Sequence, residues 1–85
     1  MGHEYRILVL QRGWVIVGRY VERGDECCLY DAAVIRRWGT TKGLGELIDG
    51  PTPSTTLDKC GEVRAHKLSV VLHLIASKKW ETVLC

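Results

Sequence analysis

A chain of 85 residues has room for one hydrophobic core, so we expect a single domain over residues 1–85. Its 46% hydrophobic and 26% charged residues exclude a mainly disordered chain. Twelve Lys and Arg residues against ten Asp and Glu residues give a net charge of +2 with the two signs interspersed. This balance argues against general DNA binding, because neutralising the phosphates of DNA normally needs a basic face.

The start of the chain predicts a β-hairpin. Residues Tyr5–Leu10 have the composition of a strand, and Gln11–Gly13 follows as a short turn whose glycine can adopt a positive φ. A second strand over Trp14–Val21 contains Gly18, which indicates a bulge or a close crossing. Arg23-Gly24-Asp25 then turns the chain again. We prefer this turn to an adhesion motif, because nothing in the sequence indicates secretion.

After a third strand, Glu26–Ile35, the pattern changes from strand to helix. Leu44, Leu47 and Ile48 have the i, i+3, i+4 spacing of one apolar helical face. An exposed loop is then predicted over Pro51–Thr56. Strands follow over Val63–His66 and Leu68–Ile75, and a short last strand over Trp80–Leu84. We therefore expect a mainly β domain, a small barrel-like or strongly bent antiparallel sheet of about five or six strands with one short helix.

The cysteines and histidines are scattered along the chain. They are Cys27, Cys28, Cys60, Cys85, His3, His66 and His73, with no Cys-x-x-Cys pair. This spacing predicts reduced thiols and no metal site or cofactor. Cys27 and Cys28 are neighbours in a strand, so we expect one in the core and one exposed. Because His73 has no identifiable partner for a catalytic dyad, we expect that the protein is not an enzyme.

The hydropathy pattern predicts a cytoplasmic protein with no membrane partner. No apolar stretch approaches the ~18 residues that would span a bilayer. The start of the chain, Met1–Tyr5, lacks the basic and then apolar plan of a secretory signal.

The segment Arg36–Gly45 concentrates groups that bind anions. Its glycines allow backbone N–H groups to turn toward an anion, and the helix start offers unpaired donors and a partial positive charge. Cations would neutralise phosphate and the tryptophan would stack on a base. The candidate ligand-binding residues are Arg36, Arg37, Trp38, Thr40, Thr41, Lys42 and Gly43. The structural alternative places Trp38 in the core, the arginines on a solvated strand end, and Thr40 or Thr41 as the helix cap.

The order of several short motifs resembles a known family over nearly the whole chain. The motifs are Tyr5 and Val9, Arg12-Gly13-Trp14-Val15, Asp31-Ala32 with Ile35, Trp38-Gly39, Leu44 and Leu47, and the strand Leu68–Ile75. They look like a family of small uncharacterised proteins encoded by bacteriophages and prophages. The resemblance implies the cytoplasm of a bacterial host and an accessory role. It transfers no site residue, because the family has no established activity.

These observations predict a non-enzymatic, phage-type accessory protein that works as a protein-interaction or binding module. The alternative is a protein that binds or sequesters a phosphate-bearing ligand, nucleotide or nucleic acid, through the Arg36–Gly45 loop. The small core and the three tryptophans predict a homo-oligomer, most simply a dimer.

Overall fold

The structure is a computed structural model that describes residues 4–84. Its five strands are β1 (Tyr5–Leu10), β2 (Val15–Arg23), β3 (Glu26–Arg37), β4 (Thr56–His66) and β5 (Val70–Ala76). Short 3-10 helices lie at Gln11–Gly13, Leu44–Asp49 and Lys67–Ser69, and one α-helix, α1, spans Trp80–Leu84. The predicted short helix is therefore confirmed as the 3-10 helix Leu44–Asp49.

All five strands form one antiparallel sheet in the order β4-β3-β2-β1-β5. The prediction of a mainly β, antiparallel fold with about five strands is confirmed. β4 and β5 are the two edges, and they do not pair with each other, so the sheet is not closed. The barrel-like part of the prediction is not confirmed.

The link between β4 and β5 requires the sheet to bend strongly. His66 pairs with Glu26 near one end of the strands, whereas Val70 pairs with Leu10 near the other end. In a flat sheet these registers would place His66 and Val70 roughly 35 Å apart. The chain between them, through Lys67–Ser69, can span at most about 14 Å. The halves of β2, β3 and β4 that contain Arg23, Glu26 and His66 must therefore fold over one face of β1.

Gly18 lies at one of the bends. The pairing of β2 with β3 shifts register between Val17 and Arg19, as expected for a β-bulge. A Cβ atom at Gly18 would lie 3.0 Å from the Cβ atom of Leu29 and 3.1 Å from the carbonyl oxygen of Tyr30. Both parts of the sequence prediction, a bulge and a close crossing, are confirmed at this position.

The two faces of the sheet carry separate hydrophobic clusters, since neighbouring strand residues point to opposite faces. One cluster joins strand residues such as Ile7 and Val17 to Leu47, Trp80 and Leu84 from the helical segments. The other contains Leu8, Ile16, Cys27, Leu29 and Ala32 and is covered by the bent sheet itself.

The prediction of a strand over Trp80–Leu84 is wrong, because this segment is α1. The backbone N–H groups of Trp80 and Glu81 donate to the carbonyl oxygens of Ser77 and Lys78, at 3.2 and 2.9 Å, and so begin the helical turn. The indole Nε1 of Trp80 donates to the carbonyl oxygen of Leu47 at 2.8 Å. The helical turn therefore places the fully buried Trp80 in the core with its polar atom paired.

The structure corrects two further predictions. Cys27 and Cys28 are both buried, rather than one exposed, because both faces of β3 are covered at this point. β4 begins at Thr56, seven residues before the strand predicted over Val63–His66. Residues 58–62 are exposed and mostly polar, and pairing with β3 makes this segment a strand despite the weak sequence pattern.

Candidate functional site

The predicted binding residues lie where β3 ends and the 3-10 helix Leu44–Asp49 begins. Arg36 and Arg37 are the last two residues of β3, and both are exposed. In the loop that follows, Trp38 is 42% exposed, Thr41 and Lys42 are exposed, and Thr40 and Gly43 are half-buried. The structural alternative is wrong for Trp38, which is exposed, but its placement of Arg36 and Arg37 on a solvated strand end is confirmed.

The cations of this loop do not share one partner. Arg36 Nε lies 3.0 Å from Asp58 Oδ2 on the neighbouring strand β4, so this guanidinium is already in an ion pair. Among residues 4–84, no carboxylate lies within ion-pair distance of Arg37 or Lys42. Two of the three predicted cations are therefore available to a ligand.

The carboxylate of Glu46 occupies the backbone donors that were predicted to hold an anion. Its Oε1 accepts from the backbone N–H groups of Thr41 and Lys42, at 3.2 and 3.0 Å. Glu46 is the third residue of the 3-10 helix, from which an acidic side chain can reach back to unpaired N–H groups. The helix cap itself is Gly43, with no side-chain hydrogen bond, so neither threonine caps the helix as proposed.

Two threonine hydroxyls attach the loop to the segment that precedes β4. Thr52 Oγ1 donates to the carbonyl oxygen of Gly39 at 2.8 Å, and Thr55 Oγ1 donates to that of Trp38 at 2.6 Å. A Cβ atom at Gly39 would lie 2.3 Å from the backbone of Ser54, so the two segments are in direct contact. The backbone that carries Trp38 is therefore fixed.

Two exposed tryptophans lie at one end of the sheet. Trp14 immediately precedes β2 and Trp38 immediately follows β3, and these strands are antiparallel neighbours. Trp14 is 56% exposed. Arg12, in the hairpin turn, and Arg37 are exposed at the same end. We call Trp14, Trp38, Arg12 and Arg37 the tryptophan surface.

A second group of side chains, which the sequence did not predict, surrounds Tyr20. Arg6 Nη1 donates to Nδ1 of His73 at 2.9 Å, and Arg6 Cζ lies 4.0 Å from the centroid of the Tyr20 ring. The rings of Tyr20 and His73 meet edge to face, with centroids 5.7 Å apart. The Tyr20 hydroxyl lies 3.4 Å from both Glu22 Oε1 and Cys27 Sγ. These contacts join β1, β2, β3 and β5 on one face of the sheet.

The environment keeps Tyr20 and His73 neutral near pH 7. Burial raises the pKa of Tyr20, and the hydrogen bond to Cys27 raises it further. Partial burial lowers the pKa of His73, and the nearby Arg6 guanidinium lowers it further. Because an arginine can only donate, Nδ1 of His73 is the acceptor and Nε2 carries the proton.

The edge strand β5 exposes a row of apolar side chains. Val71, Leu72 and Ile75 are 63%, 44% and 57% exposed, and Leu68, just before the strand, is 82% exposed. A mostly apolar strand is typical of the interior of a sheet. Nothing in the sequence pattern of β5 indicates that it is an edge strand.

One shallow cavity of about 180 Å³ lies where β3, β4 and α1 meet. It is lined by Asp31, Ala32, Lys59, Gly61 and Leu84. Small-molecule sites usually enclose roughly 300–1,000 Å³, so this cavity is smaller than the usual size for a ligand.

Within residues 4–84, no three His, Cys, Asp or Glu side chains lie close enough together to hold a metal ion. His3 and Cys85, which entered the metal prediction, lie outside the described residues. In the same part of the chain, no helix has both the length and the apolar character needed to cross a bilayer. Comparisons with protein-family models, with curated proteins and with solved structures find no match to this chain.

Proposed function

We propose that this chain is a non-enzymatic protein-interaction module that binds a protein partner through the tryptophan surface. The observation that carries this proposal is the exposure of Trp14 and Trp38 at the same end of one sheet. Tryptophan and arginine are the residue types most enriched among side chains that dominate binding energy at protein interfaces. Arg12 and Arg37 supply the arginines of this surface.

The fixed backbone of the loop supports the same proposal. The hydrogen bonds from Thr52 and Thr55 hold the Gly39 and Trp38 carbonyl groups before any partner arrives. A contact residue that is already ordered loses less conformational entropy on binding. In a phage-type accessory protein, acting in the cytoplasm of a bacterial host, such a surface would bind a host or phage protein.

The test compares the wild-type protein with the Trp14→Ala/Trp38→Ala variant. Affinity capture from a bacterial host lysate identifies the partner, and calorimetry with the purified partner then measures the Kd. We expect the variant to raise the Kd by at least tenfold, because each lost anchor removes buried apolar area. The control is Glu62→Ala/Arg64→Ala, which removes an exposed ion pair toward the other end of β4. An unchanged Kd in the tryptophan variant, or an equal loss in the control, would contradict the proposal.

The alternative function is the binding of a phosphate-bearing ligand by the Arg36–Gly45 loop. One observation favours it: the Thr41 and Lys42 amides already converge on a carboxylate oxygen, so the backbone has an anion-binding shape. The same observation weighs against high affinity, because a phosphate would have to displace Glu46.

A titration with mono-, di- and cyclic nucleotides and short oligonucleotides separates the two functions. If the loop binds anions, Glu46→Gln should bind the nucleotides more tightly than the wild-type protein, because it removes the competing charge. Arg37→Ala/Lys42→Ala should bind them more weakly. The protein-interaction proposal predicts no binding below millimolar ligand in any of these folded proteins.

A further inference from the structure

The two edge strands of the sheet differ in how they are protected against pairing with another strand. β4 carries the charged residues Asp58, Lys59, Glu62 and Arg64, and its pairing is interrupted by bulges near Gly61. Charges and bulges of this kind keep natural sheet edges from pairing with other chains. β5, with the sequence VVLHLIA, has no charged residue and no proline, and its register shift against β1, which leaves Val71 as an extra residue, lies near the start of the strand.

The outer side of β5 is open to another strand. Within residues 4–84, β5 pairs only with β1, and no second strand pairs with it. Its most exposed side chains are apolar, with Val71 at 63% and Ile75 at 57%. A seven-residue, uncharged apolar edge of this kind is unusual on the surface of a protein that stays monomeric.

The sequence of β5 is nearly symmetric about His73. If a second copy of β5 lies antiparallel to the first, with a two-fold axis at His73, then Val71 faces Ile75 of the other copy. Leu72 likewise faces Leu74 of the other copy, and His73 faces its equivalent. Every apolar residue in this register faces another apolar residue, and such cross-strand pairs stabilise a sheet.

From this self-complementarity we infer that β5 is the interface of a homodimer, in which two copies pair antiparallel around His73 and join their sheets into one. Strand pairing supplies main-chain hydrogen bonds along the regular part of β5 that follows the bulge at Val71. The exposed side chains of Val71, Leu72 and Ile75 add apolar area to this interface; an interface of standard size buries ~800 Å² on each partner. None of the four residues of the tryptophan surface belongs to β5, although the hairpin that carries Arg12 and Trp14 follows Leu10, which pairs with Val70.

The neutrality of His73 allows the two copies to approach. The Arg6 guanidinium donates to Nδ1 of His73, which is therefore unprotonated at that atom. Two charged imidazoles facing each other across the axis would repel. The other groups around His73 are Tyr20, which packs edge to face, and the carboxylates of Glu4 and Glu22, which act on it through their charges.

The first test measures mass by sedimentation equilibrium over micromolar concentrations. We expect the wild-type protein to have twice the 9.6 kDa mass of one chain. Val71→Lys places a charge on the exposed edge and should raise the dimer Kd by at least tenfold while the monomer stays folded by circular dichroism. Glu62→Ala/Arg64→Ala, which removes an exposed ion pair on the opposite edge strand β4, should leave the Kd unchanged. A monomeric wild-type protein, a Val71→Lys variant with the wild-type Kd, or an equal loss in the control overturns the inference.

The second test reads the register directly and uses a Cys60→Ser/Cys85→Ser background, which removes the exposed thiol and the C-terminal thiol. Under mild oxidation, His73→Cys should cross-link to itself across the axis, and Val71→Cys/Ile75→Cys should cross-link through the facing pair. Val71→Cys alone is the control, because its opposite residue is then Ile75. Cross-linking in either of the first two variants, with little in the control, supports the two-fold register. Cross-linking in neither, or equally in the control, overturns it.

Discussion

Oε1 of Glu46 accepts a hydrogen bond from the backbone N–H of Lys42 at 3.0 Å. The same atom accepts from the N–H of Thr41, so one acidic side chain satisfies two donors ahead of the 3-10 helix Leu44–Asp49. Donors in this position are otherwise unpaired and favour negative charge. The loop therefore has the geometry of an anion site and supplies the anion from its own chain.

This contact predicts different effects for two substitutions of Glu46. Glu46→Ala removes the acceptor and should lower the free energy of unfolding by about 0.5–2 kcal/mol, as for the loss of a helix cap. Glu46→Gln keeps a neutral acceptor and should cost less. Urea denaturation measures both. Equal losses in the two variants would show that the carboxylate oxygen does not act through these hydrogen bonds.

A second prediction concerns the contact between the loop and the segment before β4. At Gly39 a Cβ atom would lie 2.3 Å from the backbone of Ser54, and the residue also has a φ of +66°. Gly39→Ala should therefore cost more than about 3 kcal/mol, at the upper end for single substitutions. Gly24 is the matched control, with a φ of +57° and open space around it, and Gly24→Ala should cost only about 1–2 kcal/mol. Similar urea midpoints for the two variants would contradict the close contact.

A third prediction separates the buried tryptophan from an exposed one. Trp80→Phe removes the hydrogen bond from Nε1 to the buried carbonyl oxygen of Leu47 and should cost about 1–3 kcal/mol. Trp14→Phe changes a 56% exposed side chain and should stay within about 0.5 kcal/mol. Thermal unfolding of both variants checks this difference. Equal stability losses would argue against the buried position of Trp80.

The strands whose signals are local could be predicted from the sequence. Arg23-Gly24-Asp25 ends β2, because glycine and aspartate favour a turn whatever the order of the strands. Gly18 could be predicted as the bulge, because a glycine within a strand indicates that a side chain would not fit there. The first half of β4 could not be predicted. Residues such as Asp58 and Lys59 are polar, and their pairing partners in β3 are more than twenty residues away.

The candidate site was predicted in its position but not in its electrostatics. Trp38 and Lys42 are exposed in the loop where the sequence placed them. The role of Glu46 could have been found, because an acidic side chain in the first turn of a helix is favoured by the unpaired N–H groups there. The position of β5 at an edge could not, since strand order depends on contacts over the whole chain.

The last prediction concerns the protonation of His73. Partial burial lowers the pKa of this side chain in the folded protein, and the charge of Arg6 lowers it further. The charges of Glu22 and Glu4 act in the opposite direction but are smaller effects. The unfolded chain therefore takes up a proton more readily than the folded one. The contribution of neutral His73 to the free energy of unfolding is complete above the unfolded pKa of about 6.5. It is lost as the pH falls below that value toward the lower pKa of the folded protein.

Urea denaturation at pH 7.5 and pH 5.5 should show a lower midpoint at the acidic pH, and sedimentation should show a weaker dimer there. His73→Gln keeps an acceptor for Arg6 without a titrating proton, so it should reduce both changes. His66→Gln is the control, because His66 accepts from the backbone N–H of Leu68 at 3.1 Å and has no contact with Arg6 among its hydrogen bonds. It should retain the pH dependence of the wild-type protein. If His73→Gln and the wild-type protein lose stability equally on acidification, the proton that matters is not on His73.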